Sequence, residues 1–338
     1  MAYTLKLNIY NFSLYRITNT VERHMRGVIR TKYETENDAT SFGQFARTLD
    51  PNVDRDSFLP VVFQQLVIYF DSRFKVNEEG TKAVSITSAP QPTYATLSYT
   101  INGLFKGGDT GIGRTIYSQR NALQPGTRIS NTDVPVNNYY YKLWLPYDSD
   151  DGVLMVQSYT DMGCTATFRD QLEQFFISKG FRPQWNAMIP SGIVDGYLDR
   201  SFIKEIKVVY AQEQRQEQGI FASMSNVRRE SRLSSLHISF RQLLGLNNYQ
   251  QVLKDKIMEF VDYNQDQDLA VVFYVDENGK KAHASINNLE QVLPSIILPD
   301  ELKNAATDEP IMAEICRYTD GILEQVKRQM GYAVNELL

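Results

Sequence analysis

Glu205 and Lys207 stand two residues apart in FIKEIKVVYA (202–211), a run whose β-branched residues predict a strand, so alternation aims both side chains at one face. With Asp195 and Asp199 just upstream, this is a residue set that a metal-dependent nuclease uses: an Asp and a Glu hold Mg²⁺ while a Lys positions the attacking water. The spacing argues the other way. Such sites take their Asp from a separate preceding strand, whereas Asp199 is only six residues from Glu205, and a Glu and a Lys side by side on a solvated strand are common. KGGDTGIGR (106–114) has the closely spaced glycines that let backbone N–H groups approach a phosphate, with Arg114 adding charge. It lacks the Lys-Ser/Thr pair of a P-loop and the GxGxxG spacing of a dinucleotide turn, and reads as a hairpin tip. His24, His237 and His283 are isolated from one another, so no metal-ligand spacing occurs. Neither Cys164 nor Cys316 has a base beside it in sequence, and both read as buried free thiols. The expectation is a protein that binds rather than catalyses, with no cofactor and no resident metal.

Charge is distributed unevenly along the chain. The net charge is −5, but residues 200–256 carry +5 and residues 257–338 carry −9, with +3 over 1–48 and −4 over 49–199. Screening confines charge effects to about 10 Å at moderate salt, so an acidic chain can still present a basic face. In the basic segment Lys204, Lys207, Arg215, Arg228, Arg229, Arg232 and Arg241 fall on or around two predicted strands and a polar loop, AQEQRQEQG (211–219). Cations so placed suit a phosphate backbone, which they neutralise with release of counterions and without reading sequence. The cluster RRESR (228–232) fits a solvated loop equally well.

The elements that must position these residues are mixed. Tyr3–Tyr10 alternates Leu5, Leu7 and Ile9 against polar residues, as a half-buried strand does. Val21–Lys32 is expected as a helix with Arg23, Arg26 and Arg30 on one solvated stripe. From Leu66 to Tyr147 the β-branched and aromatic runs, broken by turn clusters, predict a meandering antiparallel sheet. YYYKLWL (139–145) and VLMVQSY (153–159) flank DSDDG as a hairpin. A helix follows, with Thr167 and Asp170 as a capping box and Gly180 as its stop. SSLHISF (234–240) starts a strand, Arg241–Val261 has helical periodicity, and LAVVFYV (269–275) turns into HASIN (283–287). The chain ends in a long helix capped by Thr307, with Pro310 in its first turn and Ile311, Ile315, Tyr318, Ile322 and Val326 as a stripe that docks on this chain or on a second copy. The expected fold is α+β, mainly antiparallel sheets with packed helices and a long C-terminal helix. It divides into a β-rich part over 1–160 and an α+β part over 161–338. No apolar run reaches the ~20 residues of a membrane span, and the opening MAYTLKLNIYNF has no basic region leading into an apolar stretch, so the expected location is the cytoplasm.

QFFISKGFRPQW (174–185) and DGILEQVKRQMG (320–331), in that order, resemble two segments of the RexA-type phage exclusion proteins: a helix ending in a Lys-Gly step before a strand, and a C-terminal amphipathic helix with a basic turn. The resemblance covers the C-terminal half; the stretch between, including 202–211, fits only loosely. It implies a cytoplasmic homodimer that binds double-stranded DNA with little sequence preference and acts with a membrane-protein partner that depolarises the infected cell. It brings no catalytic residue and no individual DNA contact. Three readings are thus open: a DNA-binding exclusion protein, a Mg²⁺-dependent nuclease using Asp199, Glu205 and Lys207, and a protein-interaction component without a nucleic-acid role.

Overall fold

Leu5, Leu7 and Ile9 are buried on one face of β1 (Leu5–Met25), and Phe12 and Leu14 on the other, because the sheet to which β1 belongs is covered on both sides. The computed structural model describes residues 3–25, 28–111, 113–116, 126–160, 162–188, 190, 202–209, 230–239, 269–275, 281–285 and 296–332. After β1 come β2 (Val28–Thr35), α1 (Phe42–Leu49), α2 (Phe58–Phe70), β3 (Lys75–Val76), β4 (Lys82–Ser85), β5 (Thr93–Ala95), β6 (Thr100–Asp109), β7 (Arg114–Ile116) and β8 (Thr127–Ile129). The chain continues through β9 (Asn137–Trp144), β10 (Asp151–Tyr159), α3 (Thr165–Ser178), β11 (Phe181–Ala187), β12 (Phe202–Val209), β13 (Glu230–Ser239), β14 (Leu269–Val275), β15 (Lys281–Ser285), β16 (Ile296–Ile297) and α4 (Met312–Gln329). The fold is α+β, built on a large antiparallel sheet.

Two compact units result, Met1–Met188 with Ser295–Leu338, and Ile189–Pro294. The first therefore holds the whole 1–160 segment together with α3, β11 and the C-terminal helix, which the sequence reading had grouped with the basic segment. Its sheet runs β11-β1-β10-β9-β6-β4-β3, with β16 and β2 also paired to β1 and β5 to β6. Val153 lies opposite Trp144 in the β9–β10 hairpin, as the turn residues predict. Tyr141 meets Phe168 of α3 (5.4 Å between ring centroids), whereas its neighbour Tyr140 hydrogen-bonds Thr319 of α4 (2.8 Å). Successive strand residues point to opposite faces, so α3 and α4 lie on opposite sides of the sheet. This explains why β9 and β10 read as unbroken apolar runs: neither face meets water.

Several elements differ from expectation. Val21–Lys32 is not a helix but a two-stranded antiparallel ribbon, β1 pairing with β2 from Asn19↔Glu34 to Met25↔Val28. Val21, Thr20, Val28, Ile29 and Thr31 favour strands. Leu66–Phe70 belongs to α2, whose buried Phe58, Leu59, Val62, Phe63, Leu66 and Phe70 recur at helical spacing; the sheet begins only after it. α3 starts at Thr165 behind Cys164 with no side-chain cap, and Thr167 is buried instead of capping. Gly180 (φ 85°) does end it. Pro310 and Thr307 precede α4, Pro310 in a β-bridge to Lys303, and Ile311 takes the cap position. The helix buries Ile315, Thr319, Ile322, Leu323 and Val326. Ile315, Ile322 and Val326 of the stripe thus dock on this chain's own sheet, while Ile311 is exposed and Tyr318 half-buried.

Among the described residues the second unit holds a four-stranded antiparallel sheet in the order β13-β12-β14-β15. Strands β12 to β15 fall where the alternation places them, and β13 begins four residues before the SSLHISF run. The expected loop at 211–219 and helix at 241–261 lie outside the described residues. Among the described residues no helix is long and apolar enough to cross a membrane.

Candidate nucleic-acid interface

Ile206 and Val208 are buried while Glu205 and Lys207 are half-buried, so β12 presents its two charged side chains on one face, as the ExK spacing predicts. Backbone register then supplies the neighbours. Lys207 lies between Arg232 of β13 and Val271 of β14, and Glu205 between Ser234 and Phe273. His283 of β15 is the next position beyond Phe273. Directly opposed residues on one face have Cβ atoms about 5 Å apart, and like charges so placed repel. Glu205 and, opposite Val209, Glu230 occupy the diagonal positions, farther off at about 7–8 Å. Lys207 and Arg232 are directly opposed in the register of β12 and β13. A phosphate bridging two such cations makes charge-assisted hydrogen bonds to both and cancels their repulsion.

Of the other expected contacts, Lys204 is at the register shift between Ile203 and Glu205, where β12 departs from regular pairing with both neighbours. Arg215, Arg228, Arg229 and Arg241 lie outside the described residues, as do Asp195 and Asp199. The register thus sets Lys207 opposite Arg232, and of the nuclease trio Glu205 and Lys207 lie among the described residues, two apart on β12. Among the described residues no group of three or more His, Cys, Asp or Glu side chains is arranged to hold a metal.

Much of the glycine-rich segment's backbone is already engaged within the protein. Gly107 and Gly108 are inside β6, where a Cβ on Gly108 would sit 1.9 Å from the Pro135 carbonyl oxygen. The Thr110 N–H donates to the Thr81 carbonyl (2.9 Å) and that of Gly111 (φ 86°) to Asn131 (3.0 Å). These glycines admit a close chain crossing. Neither cysteine is poised as a nucleophile: burial pushes both thiols up, away from the thiolate.

Two features escaped the sequence. Lys142, the one cation in YYYKLWL, is wholly buried on the α4 side of β9, where its ammonium donates to the Cys316 carbonyl (3.2 Å) and ion-pairs with Asp320. Tyr140 beside it hydrogen-bonds Asn102 and Thr319, both at 2.8 Å. This network fastens α4 to the sheet and is a packing device. The second is the β1–β2 ribbon, which places Arg23 directly opposite Arg30. A Gly-containing dipeptide between two β-branched runs was the signal that could have revealed it.

The fold is that of an α+β protein. No protein-family model matches the chain, and neither a curated protein nor a solved structure matches it. Likeness to the RexA-type proteins thus rests on residues 174–185, which form the end of α3, its Lys-Gly stop and β11, and on 320–331, most of which lies in α4.

Proposed function

We propose that the protein is a non-catalytic, double-stranded-DNA-binding component of a phage exclusion system, contacting phosphates with little sequence preference. The observation that carries the binding is the register of β12 and β13, which sets Lys207 opposite Arg232. Lys204, Arg215, Arg228, Arg229 and Arg241 extend the same basic segment. The defence role, cytoplasmic location, homodimer and membrane-protein partner rest on the family resemblance. A dimer would use a surface other than the face of α4 that buries Ile315, Ile322 and Val326.

The test is binding of purified protein to labelled duplex DNA at about 50 and 200 mM salt, with and without Mg²⁺, reading retention and cleavage together. Salt-sensitive retention without cleavage is expected. Lys207→Gln/Arg232→Gln should lower the log–log salt slope by about 0.9, the value for the one phosphate that the two cations share. Mg²⁺-dependent cutting abolished by Glu205→Gln would replace this reading with the nuclease, and no retention at either salt would leave a protein-interaction role.

A further inference from the structure

Phe42, Phe45 and Ala46 fill the buried side of α1, which leaves Gln44, Arg47 and Thr48 exposed at the three- and four-residue steps of one helical face. The segment leading into the helix runs beside β1: the Glu36 N–H donates to the Arg16 carbonyl (2.9 Å) and that of Thr40 to Leu14 (2.7 Å). Strand, segment and helix thereby form the walls of one cavity of about 460 Å³, lined by Arg16, Glu36, Thr40, Gln44, Arg47 and Thr48. All of these lie in the first unit. The volume is that of a small-molecule site, and every lining side chain is polar or charged.

Both guanidiniums are held in place yet have donors to spare. That of Arg16 lies over the Phe181 ring (5.4 Å to the centroid) and that of Arg47 over Tyr147 (5.8 Å), whose hydroxyl accepts from Arg47 Nη2 (3.3 Å). Among the described residues Arg16 has one carboxylate partner, Glu36 at 3.9 Å, too far for a hydrogen bond and between half-exposed side chains. Arg47 has none. Thr40 adds an independent sign of a ligand: it is 6% exposed and lines the cavity, yet among the described residues its hydroxyl has no partner. Buried hydroxyls are normally hydrogen-bonded. Gln44 Oε1 accepts from the Ser41 N–H (3.3 Å), so its amide NH₂ is left as a further donor. Donors thus outnumber acceptors in this wall, as an oxyanion requires.

We infer that this cavity is a binding site for a small sugar phosphate, with Arg16, Arg47 and the Thr40 hydroxyl on the phosphate and Glu36 accepting from the sugar hydroxyls. Two cations with one carboxylate suit a ligand that is anionic at one end and hydroxylated at the other. A lone phosphate leaves most of the volume unfilled, and no lining side chain is aromatic, so a nucleobase has no ring to stack on. The inference does not rest on the DNA-binding reading, since Lys207 and Arg232 belong to the second unit.

The experiment is isothermal titration calorimetry of the full chain with glucose 6-phosphate, beside glucose, glucuronate and inorganic phosphate. Wild type is expected to bind glucose 6-phosphate more tightly than any of the other three. Arg16→Gln and Thr40→Val should each weaken it about tenfold, because each removes a hydrogen bond to a charged group. Valine keeps the shape of threonine at this buried position, and circular dichroism checks that each variant folds. Glu36→Gln should weaken glucose 6-phosphate but strengthen inorganic phosphate, a split that a merely structural role would not produce. Lys207→Gln/Arg232→Gln should change nothing. No heat from glucose 6-phosphate or ribose 5-phosphate at up to about 10 mM overturns the inference. Wild-type binding by folded Arg16→Gln and Thr40→Val proteins overturns the site. Glucuronate or inorganic phosphate binding as tightly as glucose 6-phosphate overturns the ligand class.

Discussion

The ammonium of Lys142 and the carboxylate of Asp320 form an ion pair across the junction of β9 and α4, in which the lysine side chain is 0% exposed and the aspartate side chain 59%. The two ends are unequal. Desolvation falls on the lysine, and burial lowers its pKa despite the aspartate beside it.

Removing either end should therefore have different effects. Asp320→Asn leaves a buried ammonium facing only the Cys316 carbonyl and is expected to cost about 2–4 kcal/mol in urea unfolding; Lys142→Met keeps the volume, removes the desolvation penalty and should stay within about 1 kcal/mol of wild type. Equal losses from both variants would mean that the pair is net stabilising and that burial of the charge is not the dominant effect.

Alkaline pH should unfold the protein abruptly. Burial holds the phenols of Tyr139, Tyr140, Tyr141 and Tyr159 well above their ordinary value, so above pH ~10 the unfolded chain loses these protons and the folded one keeps them. Stability then falls by ~1.4 kcal/mol per group per pH unit, about 5 kcal/mol per unit for the four. Lys142 works the other way, since its lowered pKa lets stability rise with pH up to its unfolded value near ~10.4, but one group is outweighed by four. Phenolate absorbance and loss of circular dichroism should appear together; titration of all twenty tyrosines near pH 10 with the dichroism intact would contradict this.

Gly108 and Gly321 should respond oppositely to alanine. At Gly108 the new Cβ meets a backbone oxygen at 1.9 Å, so a chain must move, and a loss of about 3 kcal/mol is expected. Gly321 lies within α4 with open space around it, so alanine there should gain up to about 1 kcal/mol of helix propensity. Melting temperatures decide both, and a Gly108→Ala protein as stable as wild type would mean that the β6 crossing is looser than described.

The β9–β10 hairpin was legible because turn-forming residues separate two apolar runs, although the last two residues of Asp-Ser-Asp-Asp-Gly already belong to β10, and β14–β15 because two strand-like runs flank Glu-Asn-Gly in the sequence. The ribbon was misread because Arg23, Arg26 and Arg30 have the three- and four-residue spacings of a helical stripe, and β-branched neighbours should have decided it. α2 was partly missed because a helix rich in Val, Ile and Phe looks like a strand when read from its middle. Lys207 and Arg232 were both named, but 25 residues separate them, and their opposition follows from register, which no local pattern fixes. Lys142 could not be placed at all: in a strand buried on both faces, only the partner element reveals which polar group it meets.

β16 continues the line of β11 along the same edge of β1, with Ala187 opposite Tyr10 and Ile296 opposite Leu7, and the whole second unit lies in the chain between them. During synthesis residues 189–294 thus leave the ribosome before the strand and helix that complete the first unit. Until α4 arrives, the β9 face bearing Tyr140, Lys142 and Trp144 lacks its cover, and a nascent chain stalled near residue 300 would present aromatic surface to chaperones and proteases that the finished protein never shows.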